Sequence, residues 1–342
     1  MKSAEHIAVI GAGSFGTALA LSTARYAPAG KPLRDVRLWS HRAEHAAQMV
    51  QERMNATYLP GFTFPDNLIP TSDLAQALDG AQIVLTVVPS HVTRATYEKM
   101  RPFLKPQMVF VNGTKGIEGD TLKRMSQVVS EVLSEDFEPR MVTLSGPSFA
   151  QEVAKGDPTA VVAASTTQRW SEYVQAELSN PNFRLYSNLD MVGVEIGAAV
   201  KNVIAIAAGA VTGMGFGHNT LVAVITRGLA EITRLAIAQG GRVETLSGLA
   251  GVGDLFLTCT GGLSRNRHVG FELGRGRALS DVLGEMNSVA EGVKTAKAVY
   301  ELSKLNNVDM PITRGVYQAL YENRKATDAL ADILGRPLKR EF

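Results

Sequence analysis

The chain has 342 residues, 20% charged and 45% hydrophobic, with a formal net charge of +2 and one cysteine. That length exceeds one ordinary hydrophobic core and predicts two domains, while basic residues that are scattered rather than massed argue against nucleic acid as the main partner and leave room for a local pocket for an anionic small molecule. The lone Cys259 excludes an internal disulfide and fits a reducing compartment.

In chain order, the first feature is Ile7-Ala-Val-Ile-Gly-Ala-Gly-Ser-Phe-Gly, an apolar segment that runs straight into Gly11, Gly13 and Gly16. At this spacing a strand hands over to a helix around a pyrophosphate. Gly11 permits the tight turn, Gly13 lets backbone N–H groups approach the diphosphate, and Gly16 lets the helix pack closely on the strand. Lys2 and the apolar run after it look superficially like a secretion signal, but the glycines assign the run to the first strand and helix, with the helix over Thr17–Ala24. The alternation in Asp35-Val-Arg-Leu-Trp-Ser predicts a second strand. Further strands are expected in 81–88, 108–111 and 142–144, with 158–164 and 183–186 as additions, each separated by helical or turn segments. This rhythm predicts an α/β, doubly wound parallel sheet of Rossmann type with helices on both faces.

From about Gly193 the β-rich runs stop and helical periodicity takes over at 194–211, 219–239, 290–305 and 312–322. A mainly α-helical C-terminal domain is expected, giving a dinucleotide-binding domain over 1–192 and a helical substrate-binding and catalytic domain over 193–342. Gly248–Gly262 and Gly270–Gly276 read as glycine-rich loops, and Pro311 opens a helix. The run 196–211 is apolar but contains Lys201 and Asn202 and is short for a bilayer, so a buried helix is expected rather than a membrane span.

Several side chains could carry chemistry. At the end of the second strand, where an acidic residue takes the ribose hydroxyls of NAD, the chain reads Ser40-His41-Arg42. With a cation and no acid, a 2′-phosphate is accommodated, which favours NADP(H) with NAD(H) also usable; the alternative is an Arg42 that merely faces solvent. Lys201 lies in a helix apolar on nearly every side, so its ammonium needs a partner, an anionic ligand or a lowered pKa. Glu195 is the nearest acid in sequence but sits off its helical face. Such a lysine can give a proton to a carbonyl oxygen as hydride arrives. Lys115 follows a strand at the carboxyl edge of the sheet, and Gly146 with Ser148, at a helix start, repeats that placement; both segments would also pass as ordinary turns. Ser264-Arg265-Asn266, ahead of a helix, suits a phosphate, or is a solvated basic run. Asp254 could accept hydrogen bonds, orient a lysine, or cap a helix. The six histidines show no paired ligand spacing, so no metal is expected, and no nucleophile elbow supports a hydrolase.

Taken together and in this order, GAGSFGTALA, VVPSH, NGTKGIE, SGPSFA, GAAVKNVIAIAAG, GLAGVGDLFLTCT, SRNR and VAEG resemble the bacterial NAD(P)-dependent glycerol-3-phosphate dehydrogenases. The resemblance implies reversible reduction of dihydroxyacetone phosphate to sn-glycerol 3-phosphate, supplying phospholipid synthesis. It implies that Lys201 is the proton donor and acceptor, and that Lys115, Gly146, Ser148, Asp254, Ser264, Arg265 and Asn266 surround the substrate. Lys115 and Arg265 would also lie near the cofactor, with Ser14, Phe15, His41, Ala150, Val289 and Glu291 at cofactor-contacting positions. Phe15 stands where the family often has Trp or Tyr, so a side-chain hydrogen bond is lost there. A cytoplasmic homodimer without integral membrane association, subject to feedback by its product, is implied as well. The competing readings are a reductase of another small β-hydroxy or 2-oxo acid on the same architecture, and a non-catalytic NADPH-binding sensor.

Overall fold

Strand β1 (His6–Ile10) leads into α1 (Ser14–Arg25), then β2 (Asp35–Trp39), α2 (Ala43–Glu52), β3 (Leu68–Thr71), α3 (Leu74–Leu78), β4 (Ile83–Thr86), α4 (Thr93–Met100) and β5 (Val109–Asn112) in the computed structural model, which describes residues 5–28, 30–286, 290–338 and 340. The chain continues through α5 (Met125–Leu133), β6 (Arg140–Ser145), α6 (Ala150–Lys155), β7 (Thr159–Ala164), α7 (Gln168–Leu178), β8 (Phe183–Asn188) and α8 (Met191–Gly213). After that only helices follow among the described residues: α9 (His218–Ala238), α10 (Val243–Leu246), a π-helical turn at Leu249–Gly253, α11 (Asp254–Thr260), α12 (Arg265–Gly274), α13 (Leu279–Gly284), α14 (Glu291–Leu305), α15 (Pro311–Tyr321) and α16 (Ala326–Leu334). Two compact units result, Met1–Lys115 with Lys123–Glu195, and Gly116–Leu122 with Ile196–Phe342.

In the first unit the strands form one sheet in the order β3-β2-β1-β4-β5-β6-β7-β8. The central strands β1, β4 and β5 are buried along their whole length because both faces are covered, whereas β2 and β8 alternate. Ile7, Val9, Ile83, Leu85, Val109 and Val111 point into the core that also takes α1 and α7, while Ala8, Ile10, Val84 and Phe110 point into a second core with Tyr97, Val129 and Leu133. The order reverses between β1 and β4, which places a ligand crevice beyond the carboxyl ends of those two strands.

Two features of the sheet differ from what the sequence predicts, a strand that runs antiparallel and an edge strand that contains a proline. β7 pairs with β6 antiparallel, through Thr143↔Ala164 to Ser145↔Val162. The helix between them, α6, has six residues and spans about 9 Å, too short to carry the chain back along strands about 20 Å long. The chain therefore turns round instead of crossing over. At the other edge β3 contains Pro70, and its pairing to β2 is tolerated because an edge strand has one side without a ladder.

In the second unit α8 is apolar on all sides and buried. It is long and apolar enough to cross a membrane, yet 83% of its most apolar stretch is buried inside the protein, which marks a core helix. The expected glycine-rich loops at Gly248–Gly262 and Gly270–Gly276 are a correction: the π-turn and α11 occupy most of the first, and α12 runs to Gly274 in the second. These glycines serve contact rather than flexibility. A Cβ on Gly270 would lie 1.9 Å from the Ile206 carbonyl oxygen and one on Gly274 2.2 Å from that of Ala210, while on α8 a Cβ on Gly209 or Gly213 would lie 2.0 or 2.1 Å from the Arg267 or Phe271 carbonyl oxygen. Paired glycines four apart on both helices thus let α8 and α12 touch backbone to backbone. On the sequence alone, a contact glycine and a loop glycine look the same.

Candidate functional site

The glycine turn of the first unit is built as its spacing predicts. Gly11 has φ +117 and its N–H donates to the Trp39 carbonyl, tying the turn to β2. A Cβ there would lie 2.4 Å from the Val87 oxygen, and one on Gly16 would lie 1.9 Å from the Gly11 oxygen. Gly13, by contrast, would place a Cβ within 4 Å of no other residue. It precedes α1 without any side-chain cap, so the first amides of that helix are left for an anion, with the helix dipole behind them. This cradle fits the diphosphate of a dinucleotide.

Beside it, at the carboxyl edge of the same sheet, lie further predicted residues. The Lys115 ammonium sits 5.5 Å from the Phe15 ring centroid, a cation–π contact, and donates to the Gly146 carbonyl at 3.4 Å. Gly146 needs its φ of +143, and a Cβ on it would lie 2.8 Å from Val161 Cα. Ser148 does not cap the helix that follows; its hydroxyl donates to the Gly146 carbonyl at 2.9 Å, and the residue before α6 is Phe149. Ala150, the first residue of α6, packs against the core of this unit. The Ser14 hydroxyl donates to the Tyr58 carbonyl at 2.7 Å. His41 and Arg42 are exposed just past β2, and Arg42 donates to the Tyr58 hydroxyl at 3.1 Å. Partial burial, with Arg42, His45 and Lys99 nearby, lowers the His41 pKa from its ordinary value, which favours the neutral ring at pH 7.

The second unit assembles its chemistry from separate helices. Lys201, on α8, is 5% exposed, and its ammonium pairs with the Asp254 carboxylate and donates to the Thr258 hydroxyl at 3.0 Å. Of the three solutions open to a buried ammonium, a partner is present in the fold, the Asp254 carboxylate. Asp254 opens α11, and a Cβ on Gly197 or Gly251 would strike the Ala250 or Leu246 carbonyl, so small residues let the π-turn pack here. Glu195 is engaged elsewhere: it accepts from Arg124 at 2.5 Å and from the Ser126 backbone and hydroxyl at 2.7 and 2.6 Å. Thr258 was not singled out by the sequence. It lies four residues beyond Asp254 on one face of α11, a relation visible only once that segment is known to be helical.

At the start of α12, Ser264 is the N-cap, accepting from the Arg267 N–H at 3.3 Å, and Arg265 and Asn266 form the first turn. The Asn266 amide donates to Asn202 Oδ1 at 3.0 Å, while its oxygen accepts the Gly292 N–H at 2.9 Å. Asn266 thus joins the residue after Lys201 to the start of α14, where Glu291 is the first helical residue. Val289 lies outside the described residues. Cys259 is buried, with its thiol pushed up to about 12 by desolvation, and is inert as a nucleophile.

Two family models match the chain, the N-terminal part of NAD-dependent glycerol-3-phosphate dehydrogenase over residues 6–171 and its C-terminal part over 190–331. A glycerol-3-phosphate dehydrogenase (NAD(P)+) of Koribacter versatilis is 50% identical over 336 residues, 98% of each chain, and one of Geobacter sulfurreducens is 51% identical over 337 residues, 98% of this chain and 99% of that one. A crystal structure of glycerol-3-phosphate dehydrogenase from Coxiella burnetii superposes with a TM-score of 0.90 at 39% identity, covering 97% of this chain and 99% of that one.

Proposed function

This chain belongs to the NAD-dependent glycerol-3-phosphate dehydrogenase family, and from that premise we propose that Lys201 moves the proton while Arg265 and Asn266 hold the substrate phosphate. The enzyme is an oxidoreductase that interconverts dihydroxyacetone phosphate and sn-glycerol 3-phosphate with NAD(P)H. Bound NAD(P)H supplies the hydride that the carbonyl carbon, C2, takes up. As charge develops on O2, the Lys201 ammonium stabilises it and delivers the proton; in the reverse direction the neutral amine takes the proton back. Asp254 and Thr258 aim the amine. The observation that carries this assignment is the burial of Lys201 against Asp254.

The phosphate role of α12 rests on the first-turn amides, on the Arg265 guanidinium, and on the second amide hydrogen of Asn266. Lys115 supplies positive charge at the carboxyl edge of the sheet, beside the Gly146 carbonyl. Arg42 supports a preference for NADP(H), with the first amides of α1 taking the diphosphate. A homodimer, a cytoplasmic location and a supply role for phospholipid synthesis are supported by the family resemblance.

Absorbance at 340 nm tests the phosphate assignment. Arg265→Ala is expected to raise the KM for dihydroxyacetone phosphate by about 30-fold or more, the worth of about 2 kcal/mol from a charge-assisted contact, while dihydroxyacetone, which has no phosphate, reacts equally poorly with both enzymes. An unchanged KM removes Arg265 from the phosphate site.

A further inference from the structure

Behind the glycine turn, in the first unit, lies a side-chain network that no ligand could touch. Asn55 is fully buried, in the segment between α2 and β3. Its Nδ2 donates to the Ala12 carbonyl at 2.9 Å and to the Thr17 hydroxyl at 2.8 Å, and its Oδ1 accepts from the Tyr58 N–H at 3.1 Å and meets His45 Nε2 at 3.0 Å. All four hydrogen-bonding positions of the carboxamide are used. The orientation is forced as well, because a carbonyl can only accept and a backbone N–H can only donate, so the amide cannot be flipped. His45 Nε2 must then be a donor, and its Nδ1 lies 3.0 Å from the Ser40 hydroxyl, whose oxygen also receives the Arg42 N–H at 3.4 Å. One chain of hydrogen bonds therefore runs from the tip of β2 to the glycine turn.

We propose that Asn55 is a positioning residue for dinucleotide binding, acting by pinning the Ala12 carbonyl inward so that the Gly13 N–H and the first amides of α1 face the diphosphate. The reason is geometric. The Ala12–Gly13 peptide is trans, so its N–H points opposite to its C=O. With Gly13 free of a Cβ and clear of neighbours, little else resists rotation of that peptide unit, and Gly tolerates the rotated state better than any other residue. The second bond of the same amide, to Thr17, fixes the first turn of α1 against the same post. Without Asn55 the turn would keep its glycines and lose the aim of its amides.

The experiment compares Asn55→Asp and Asn55→Ala with Asn67→Ala. Asp keeps the shape and the acceptors but cannot donate to Ala12; Ala removes the group without adding charge. Asn67 is a matched control, since its amide also donates twice, to the Ala24 and Arg34 carbonyls at 2.9 and 2.8 Å, but beside the far end of α1. Both Asn55 variants are expected to weaken NADPH and ADP-ribose binding about tenfold or more, the equivalent of one buried hydrogen bond, with adenosine 2′-monophosphate, which has no diphosphate, bound as before and kcat at saturating NADPH nearly unchanged. Asn67→Ala is expected to lower the melting temperature and leave NADPH affinity intact. Unchanged NADPH affinity in the Asn55 variants, an equal loss in Asn67→Ala, or an equal loss for adenosine 2′-monophosphate would each overturn the proposal. Hydrogen exchange on the unsubstituted chain gives an answer that needs no folded variant. The Gly13 amide should exchange quickly without ligand and become protected by ADP-ribose, and slow exchange without ligand overturns it.

Discussion

Around Gly11, Gly13 and Gly16 the first unit presents backbone amides contributed by consecutive residues, whereas the second unit pairs side chains drawn from separate helices, Lys201 with Asp254 and Asn202 with Asn266. The first arrangement needs little more than the right local conformation. The second needs α8, α11 and α12 to pack correctly, because a misplaced Asp254 would leave a buried ammonium without its counter-charge, at a cost of several kcal/mol. Buried carboxylates show the same contrast. In the first unit Glu177 is paired with Arg34 at 3.2 Å and Lys31 at 3.0 Å. In the second, Glu231 is buried and accepts from the Ile312 N–H, the Thr313 N–H and the Thr313 hydroxyl at 2.6, 3.0 and 2.9 Å, with no ion pair to it among the described residues. Glu231 is thus held by hydrogen bonds where Glu177 is held by counter-ions.

The sharpest way to break this contrast is Lys201→Ala. It should lower kcat about 10³-fold, as loss of both proton transfer and charge stabilisation would, while NADPH affinity, set by the glycine turn, stays put. Single-turnover kinetics with a separate binding titration separates the two, and near-normal turnover would remove Lys201 from the chemistry.

Next in size is the effect of pH on stability. Desolvation raises the Glu231 pKa from 4.5 to about 7, against the opposing hydrogen bonds from Ile312 and Thr313 and the field of Arg234. The folded chain therefore holds a proton that the unfolded chain releases, so this group's contribution is complete below about pH 4.5, falls as pH rises to about 7, and is lost above that. A shift of that size is worth about 3 kcal/mol. Chemical denaturation at several pH values should show this downward trend in the native chain and its loss in Glu231→Gln; parallel pH profiles for the two would refute it.

The smallest effect expected is on cofactor choice. Arg42→Ala should raise the KM for NADPH about tenfold, the worth of one exposed charge-assisted contact, and leave that for NADH close to its starting value. If both cofactors weaken together, Arg42 supports the loop through Tyr58 instead of reading the 2′-phosphate.

The strands that form the centre of the sheet were legible because burial on both faces writes them as largely apolar, mostly β-branched runs, as in Ile83–Thr86. Lys201 was legible for a related reason, as a charge inside an apolar helix. β3 was not, because Pro70 reads as a break and only the edge position makes it acceptable. Thr258 and Asn55 gave no local signal, since a buried threonine or asparagine acquires meaning only from its partners.

By itself the sequence determined the strand-to-helix rhythm, the glycine turn, the helical second half and the isolated lysine, because each is written in residues adjacent in the chain or in their period. Only the tertiary structure decided which acid stands beside Lys201, that Gly270 and Gly274 serve a helix contact, that β7 runs against β6, and that Asn55 braces the turn. Each of those depends on atoms far apart in sequence being brought within hydrogen-bonding or van der Waals distance, and that distance is set by packing.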